Sequence, residues 1–361
     1  MSTTTSASTS CPAFHYEDFD RTVPPTEDLF RHVNGSWLKT ATIPADKGSW
    51  GAFDKLRENS EQAVHEIIES LRSGAPEAGS EAAKVADLYV SFMDEQTVEQ
   101  RGVEPLTPLF AKVDAIESVA DLAAFWGWSV RHGIDALGDF DNDSDPGNPQ
   151  RYLMFVSQSG IGLPDEEYYR LPEYVKTREQ YLAHITRCFE LAGLPDATTQ
   201  AQAAYELEKD IASCHWDKVR TRDMVEMYHL QSWQEFTDAT PSLEWESFLT
   251  GAELPHEAVA EVINCQRTFF TDAAPLVTTD RLDAWRSWAR WQIINSLAPY
   301  LSEALSTANF DFYARTLRGV PEQRPRWKRG GDLPARGLGG AQGKLYIAAP
   351  LPPPPQTGAG D

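Results

Sequence analysis

This chain of 361 residues predicts a mainly α-helical fold with one small β-hairpin near residues 137–158, on three observations. Apolar residues recur every three or four positions in several long stretches, which marks helices with one buried face. One segment breaks that rhythm: a dense turn cluster, Asn142 to Pro149, precedes the strand-like run Tyr152 to Val156 (YLMFV). Hydrophobic residues at 41%, charged residues at 24% and eleven tryptophans support a packed globular core and argue against disorder through the middle of the chain.

Residues 1–15 are rich in Ser and Thr and are expected to be disordered. Residues 16–50 hold too many turns and prolines for a long helix, so an irregular arm is expected, with an aromatic-rich run from Phe30 to Trp37 leading to Ile43-Pro44. A helix begins at Ala52, with Phe53, Leu56, Ala63/Val64, Ile67/Ile68 and Leu71 as its buried face. Ser80 caps a helix carrying Val85, Leu88, Tyr89, Phe92 and Met93. Ser118 caps another, carrying Leu122, Phe125, Trp126, Ser129 and Val130, and Gly133 ends it. In the hairpin region Asp139, Asp141, Asp143 and Asp145 alternate and raise the question of a calcium loop. The EF-hand template places Ser144 and Gln150 where glycine and glutamate belong, so solvated acids are expected there.

Glu173 to Leu191 and Ala201 to Ser213 read as helices, the first stopped by Gly193. In the Pro-bounded stretch 240–256, Leu243, Trp245 and Phe248 should pack inward, and Glu261 to Phe270 should form a short strand running into a helix. Leu282 to Leu297 is a helix with Trp285, Trp288 and Trp291 in one row. Such a row can stack bases or sugars, but at helical spacing it reads as core. Residues 330–361 are glycine- and proline-rich, end in a run of four prolines (Pro352–Pro355) and are expected to be a degenerate tail, or a polyproline ligand for a partner.

A formal net charge of −22 excludes a phosphate-binding surface made of clustered cations, so no nucleic-acid partner is expected. The segment 1–13 lacks the apolar core of a secretory signal, and no apolar run approaches membrane-spanning length. A cytoplasmic, membrane-free protein is the default expectation. Cys11, Cys188, Cys214 and Cys265 form no CxxC pair, and their pairing is left open. The nearest approach to a zinc motif is His65-Glu66-Ile67-Ile68-Glu69, which ends in glutamate where a zincin needs a second histidine. It reads as the wet face of a helix. His256-Glu257-Ala258-Val259-Ala260 ends in alanine and cannot hold a metal. No catalytic and no metal-binding residue is assigned in this chain.

Three ordered motifs resemble one family. VNGSW (Val33 to Trp37), Ile43-Pro44 and the FDKLREN run Phe53 to Asn59 are similar to the amino-terminal signature of the neprilysin-like M13 zinc metallopeptidases. Gly160 to Tyr169 resembles that family's GLPDxxYY element. Phe310 to Arg329 (FDFYARTLRGVPEQRPRWKR) resembles its FYxxTLxGxxxxRxRWKR run, and Gly343 to Ile347 keeps a trace of its GxLYV element. The residues carrying the resemblance are Asn34, Gly35, Trp37, Pro44, Gly162, Leu163, Pro164, Tyr168, Tyr169, Trp327, Lys328 and Arg329.

The resemblance implies a multi-helix M13 amino-terminal lobe over residues 51–329, with 16–50 as an arm that packs on the family's catalytic lobe. It also implies peptide substrates in an internal cavity, and a zinc ion bound in the full-length family by His-Glu-x-x-His and Glu-x-x-x-Asp helices. Neither of those metal-binding motifs can be carried onto this chain. The expectation is therefore a substrate-gating portion, truncated and inactive alone. The alternatives are a stand-alone helical module that binds peptide or protein, or a half complemented by a separate catalytic chain.

Overall fold

A computed structural model describes residues 16–348. The expected disordered tail 1–15, the run Pro352–Pro355 and Cys11 lie outside them. In chain order the helices are α1 (Leu29–Thr40), α2 (Ala52–Gly74), α3 (Glu81–Met93), α4 (Glu95–Arg101), α5 (Thr107–Asp114) and α6 (Val119–Arg131). They continue with α7 (Glu167–Arg170), α8 (Val175–Leu191), α9 (Ala197–Ala212), α10 (Trp233–Asp238), α11 (Trp245–Ala252) and α12 (Phe269–Ala273). The last four are α13 (Leu282–Leu297), α14 (Glu303–Phe310), α15 (Arg326–Gly337) and α16 (Gly339–Ala348). The mainly α class holds.

The hairpin is present where expected, with longer strands than the run Tyr152 to Val156. Strand β1 (Gly138–Asp145) pairs antiparallel with β2 (Asn148–Gln158), leaving Pro146-Gly147 as the connection. Asn142 to Asp145, expected as turn, are therefore strand. The hairpin also belongs to a four-stranded sheet ordered β1-β2-β4-β3, with β3 (Leu230–Ser232) and β4 (Glu261–Asn264), the latter parallel to β2. Strand β1 is thus an edge. The Asp141 and Asp143 carboxylates accept from the N–H groups of Asn142 (2.8 Å) and Ser144 (2.7 Å). Asp145 is buried and accepts from Arg151 and Tyr228.

Contacts divide the chain into two units, one running from Val90 to Gly319 and the other formed by the segments before and after it. The Val90–Gly319 unit has one continuous apolar core. Trp285, Trp288 and Trp291 on α13 are fully buried, as the row predicts. Each indole N–H finds an acceptor: Leu276 O (3.0 Å), Gly160 O (3.0 Å) and the Tyr181 hydroxyl (2.9 Å). Ser118 caps α6 as expected, and Gly133 after it adopts a φ of +68°. Helices α6 and α11 meet backbone to backbone, because a Cβ on Gly127 would lie 2.0 Å from Phe248 O and one on Gly251 1.9 Å from Ala124 O. Cys188, Cys214 and Cys265 are free and buried.

The other unit departs from expectation in three places. Phe30 to Trp37 is helical, not irregular. Pro24, Pro25 and Pro44 all lie outside α1, and the Asp28 carboxylate caps it by accepting from Arg31 N–H (2.9 Å). Helix α2 forms where predicted, but its expected apolar face is only partly covered: Ile68 is buried while Phe53 is 89% and Leu56 61% exposed. Residues 330–348, expected as a degenerate tail, form most of α15 and all of α16. Helix α15 packs on α2, and ion pairs Arg324–Asp332 (2.7 Å) and Lys344–Glu81 (2.7 Å) hold these segments. Tertiary contacts thus override poor helix propensity.

Candidate functional site

The GLPD segment is the most tightly determined irregular stretch of the Val90–Gly319 unit. Gly160 sits at φ +91°, and a Cβ on Gly162 would meet the Tyr181 hydroxyl at 2.0 Å, so both positions need glycine. The N–H groups of Gly162 (3.2 Å) and Leu163 (3.1 Å) converge on the Tyr169 hydroxyl. Tyr168, next to it, stacks on Tyr174 at 4.1 Å, and Arg178 donates to the carbonyls of Tyr168 and Leu171 (2.8 Å each). Leu163 is buried and Pro164 exposed.

Beneath this loop lies Glu208, on α9 and sealed from solvent. Its Oε2 accepts from the hydroxyls of Tyr169 (2.8 Å) and Tyr181 (2.8 Å) and from Gly162 N–H (3.3 Å), and its Oε1 accepts from Gln292 (3.1 Å). Burial pushes this carboxyl up to about 7, against the opposing pull of those donors. The same burial, with the adjacent carboxylate, raises the Tyr169 and Tyr181 hydroxyls well above their ordinary range. The sequence reading singled out Gly162, Leu163, Pro164, Tyr168 and Tyr169 and missed Glu208, the residue that joins them. The available signal was an acid in the apolar row Ala204, Tyr205, Leu207, Ile211 of α9.

A polar cavity of about 320 Å³ opens beside the loop, lined by Ile161, Leu163, Pro164, Glu166, His215 and Trp216 among others. Its charged rim is self-paired: Glu166 with Arg170 (2.5 Å) and Glu167 with Lys218 (2.5 Å). The Arg220 guanidinium lies 3.4 Å over the Trp216 ring. Desolvation lowers His215 to about 4, leaving a neutral imidazole whose Nε2 lies 3.0 Å from Ser159 O. A buried Cys–His contact, Cys188 with His184 at 3.7 Å, is equally inert. Desolvation holds that thiol up at about 12 and that imidazole down at about 4, so neither thiolate nor imidazolium forms.

In the other unit the first and third motifs meet. Lys328 on α15 pairs with Glu58 on α2 and with Asp46 (3.4 Å), two residues after Pro44, and Glu322 N–H donates to Ala45 O (3.0 Å). Glu58 is held below the usual carboxylate range, chiefly by its hydrogen bond from Lys328. Trp327 lies against the His65 ring at 4.5 Å, and Arg329 follows on the same helix. Asn34 donates to Phe30 O (3.0 Å), Gly35 sits where a Cβ would come within 2.5 Å of the Asp20 Cβ, and Trp37 and Pro44 are half-buried.

Zinc, which the resemblance associates with the family, finds no fit in this donor set. His65, expected on the wet face of α2, is half-buried, its ring against Trp327 (4.5 Å) and its Nδ1 3.4 Å from the Tyr89 hydroxyl. Glu69 is taken by Arg72 (2.7 Å), and Asp139, Asp141 and Asp143 lie along an extended strand. Among the described residues no three His, Cys, Asp or Glu side chains gather as a metal cluster. No helix among them is long and apolar enough to cross a membrane.

The relatives fit this geometry. The chain is 23% identical to rat endothelin-converting enzyme 1 across 96% of its own length and 46% of that enzyme's. It is 23% identical to Drosophila melanogaster neprilysin-3 across 63% of this chain and 31% of that one. Among solved structures it is similar to the zinc metalloprotease ZMP1 of Mycobacterium tuberculosis in complex with an inhibitor. That match has a TM-score of 0.87 and 35% identity, and covers 92% of this chain and 51% of that one. PepO of Lactobacillus rhamnosis shares the fold, with a TM-score of 0.73 at 20% identity over 90% of this chain and 50% of that one. The chain therefore spans about half the length of the relatives it matches. The model of peptidase family M13, amino-terminal part, matches residues 25–357, and the chain belongs to that family.

Proposed function

We propose that this chain supplies the substrate-admitting half of an M13 metalloendopeptidase, holding peptides and limiting which of them reach the metal. The metal and the cleavage chemistry belong to sequence other than these 361 residues. The observation that carries this reading is the match to ZMP1: nine-tenths of this chain follows half of a zinc metalloprotease, while the sequence here holds no His-Glu-x-x-His. The self-paired rim and the neutral His215 of the GLPD cavity support recognition over reaction. The exposed apolar side chains Leu29, Phe30, Leu38 and Ile43 support a role for residues 16–50 as an arm that meets further protein.

The test is a mixed peptide library offered to the purified chain, with and without zinc and with a chelator. Retention of intact peptides at micromolar affinity is expected. Cleavage by the chain alone that the chelator abolishes would overturn the assignment. So would complete failure to retain any peptide, which would leave the chain a purely structural half.

A further inference from the structure

We propose that Glu208 is a charge-sensing positioning residue. As a carboxylate it grips the Gly160–Tyr169 loop through Tyr169, and on taking up a proton it loosens that grip. The donor inventory sets the direction. Every group bonded to Glu208 is a donor: the loop and α7 present Gly162 N–H and Tyr169, α8 presents Tyr181, and α13 presents Gln292. None of these is a lysine or arginine, so the carboxylate is held by hydrogen bonds alone. An anion accepts all four without conflict.

A protonated carboxyl must itself donate, and the hydroxyls in reach are already engaged. The Tyr169 oxygen accepts from Gly162 and Leu163, so it has no free lone pair. The Tyr181 oxygen accepts one bond, from Trp291, and keeps one lone pair. A proton placed on Oε2 therefore goes to Tyr181, whose own hydroxyl hydrogen must turn away. A receiver is at hand. The Tyr313 hydroxyl, on the π-helical turn Asp311–Thr316, is buried, lies within hydrogen-bonding reach of Tyr181, and would stand 3.2 Å from a Cβ placed on Gly162. Protonation thus reverses the Tyr181 bond. It also leaves Tyr169, the post that holds Gly162 and Leu163, bonded to a neutral carboxyl instead of an anion.

The other titratable groups around this cluster do not change charge near neutrality. Burial keeps His184, which stands edge-on to Tyr313 and Trp291, at about 4, and keeps Cys188 a thiol. The three tyrosines facing Glu208 are held as phenols by burial. Desolvation places Glu208 itself at about 7, so the change falls in the neutral range.

Amide hydrogen exchange of the whole chain, corrected for intrinsic rates at each pH, tests this directly. The readout needs neither peptide nor metal, so it stands or falls apart from the assignment of substrate admission. Gly162 and Leu163 should lose protection by about tenfold between pH 8 and pH 5.5, while amides in α13 keep theirs. Glu208→Gln should hold them at the loose level throughout the range. Tyr169→Phe keeps the carboxyl but removes the post, and should leave both amides loose at either pH. Wild-type protection that does not vary with pH overturns the proposal, as does a pH-dependent drop that survives in either variant.

Discussion

Helices α13 and α2 carry the same kind of apolar spacing and meet different fates. In the Val90–Gly319 unit, α13 is surrounded, and its three tryptophans are buried with every indole N–H bonded. In the other unit α2 runs for 23 residues and fully buries only Ile68, leaving Phe53 and Leu56 in solvent. Periodicity names the face that can be covered, but the number of neighbours decides whether it is. Where cover is missing, charge takes over. Lys328 with Glu58 and Asp46, Lys47 with Glu58 (3.0 Å) and Arg324 with Glu61 (3.0 Å) tie α2 to the segments around it.

The contrast is broken most directly at Trp288. Trp288→Ala removes a fully buried ring and strands the Gly160 carbonyl, and should destabilise the chain by about 4 kcal/mol in urea titration. A loss under about 1 kcal/mol would mean that α13 is not the core it looks to be.

The buried charge of the same unit gives the next largest effect. The Glu208 carboxyl is raised in the fold from 4.5 to about 7, so its contribution to stability is fully present below about 4.5 and is lost as pH rises through about 7. The wild type should lose about 3 kcal/mol from this group between those limits. The difference in stability between wild type and Glu208→Gln, followed from pH 5 to pH 8, isolates it. A difference that stays constant with pH would refute the linkage. This one contribution thus falls as pH rises, while the GLPD loop becomes better held.

In the charge-tied unit, Lys328→Met should cost about 1 kcal/mol, a modest figure because Glu58 keeps a third of its side chain in water and screening is strong. Glu58 should at the same time titrate closer to the usual carboxylate range, as read by carboxyl NMR, and an unchanged titration would show that Lys328 does not set it. Smallest of all, Phe53→Ser should leave stability within about 0.5 kcal/mol while lowering the binding of a hydrophobic dye. Unchanged dye binding would clear Phe53 of forming part of an adhesive face.

Much of the fold could be read directly from the residues. The Ser80 and Ser118 caps, the tryptophan row and the strand at Glu261 all rest on local chemistry, and local chemistry prevails where the surroundings agree with it. The failures have a common cause. The run Phe30 to Trp37 looks irregular until it is seen as a helix with Gly35 packed against Asp20, and the glycines after Arg329 look like a tail until α15 is seen on α2. Each depends on a neighbour distant in sequence. The GLPD motif was visible as a motif, but its anchor was not. Glu208 lies 39 residues beyond Tyr169, and only its place on an apolar stripe betrays it. Glycine spacing likewise cannot tell that Gly162 is required by a tyrosine hydroxyl on another helix.

The edge strand β1 has a consequence for how crowded copies of this molecule treat one another. An open edge invites a second chain to add its own strand, and that is how many soluble proteins begin to clump during synthesis or refolding. Here Asp139, Asp141 and Asp143 line that edge, and two of their carboxylates already occupy the N–H groups of the residues that follow them. An incoming copy would have to displace both and bring a second row of the same sign against the first. Acids that suggested a metal loop thus act as a deterrent between molecules.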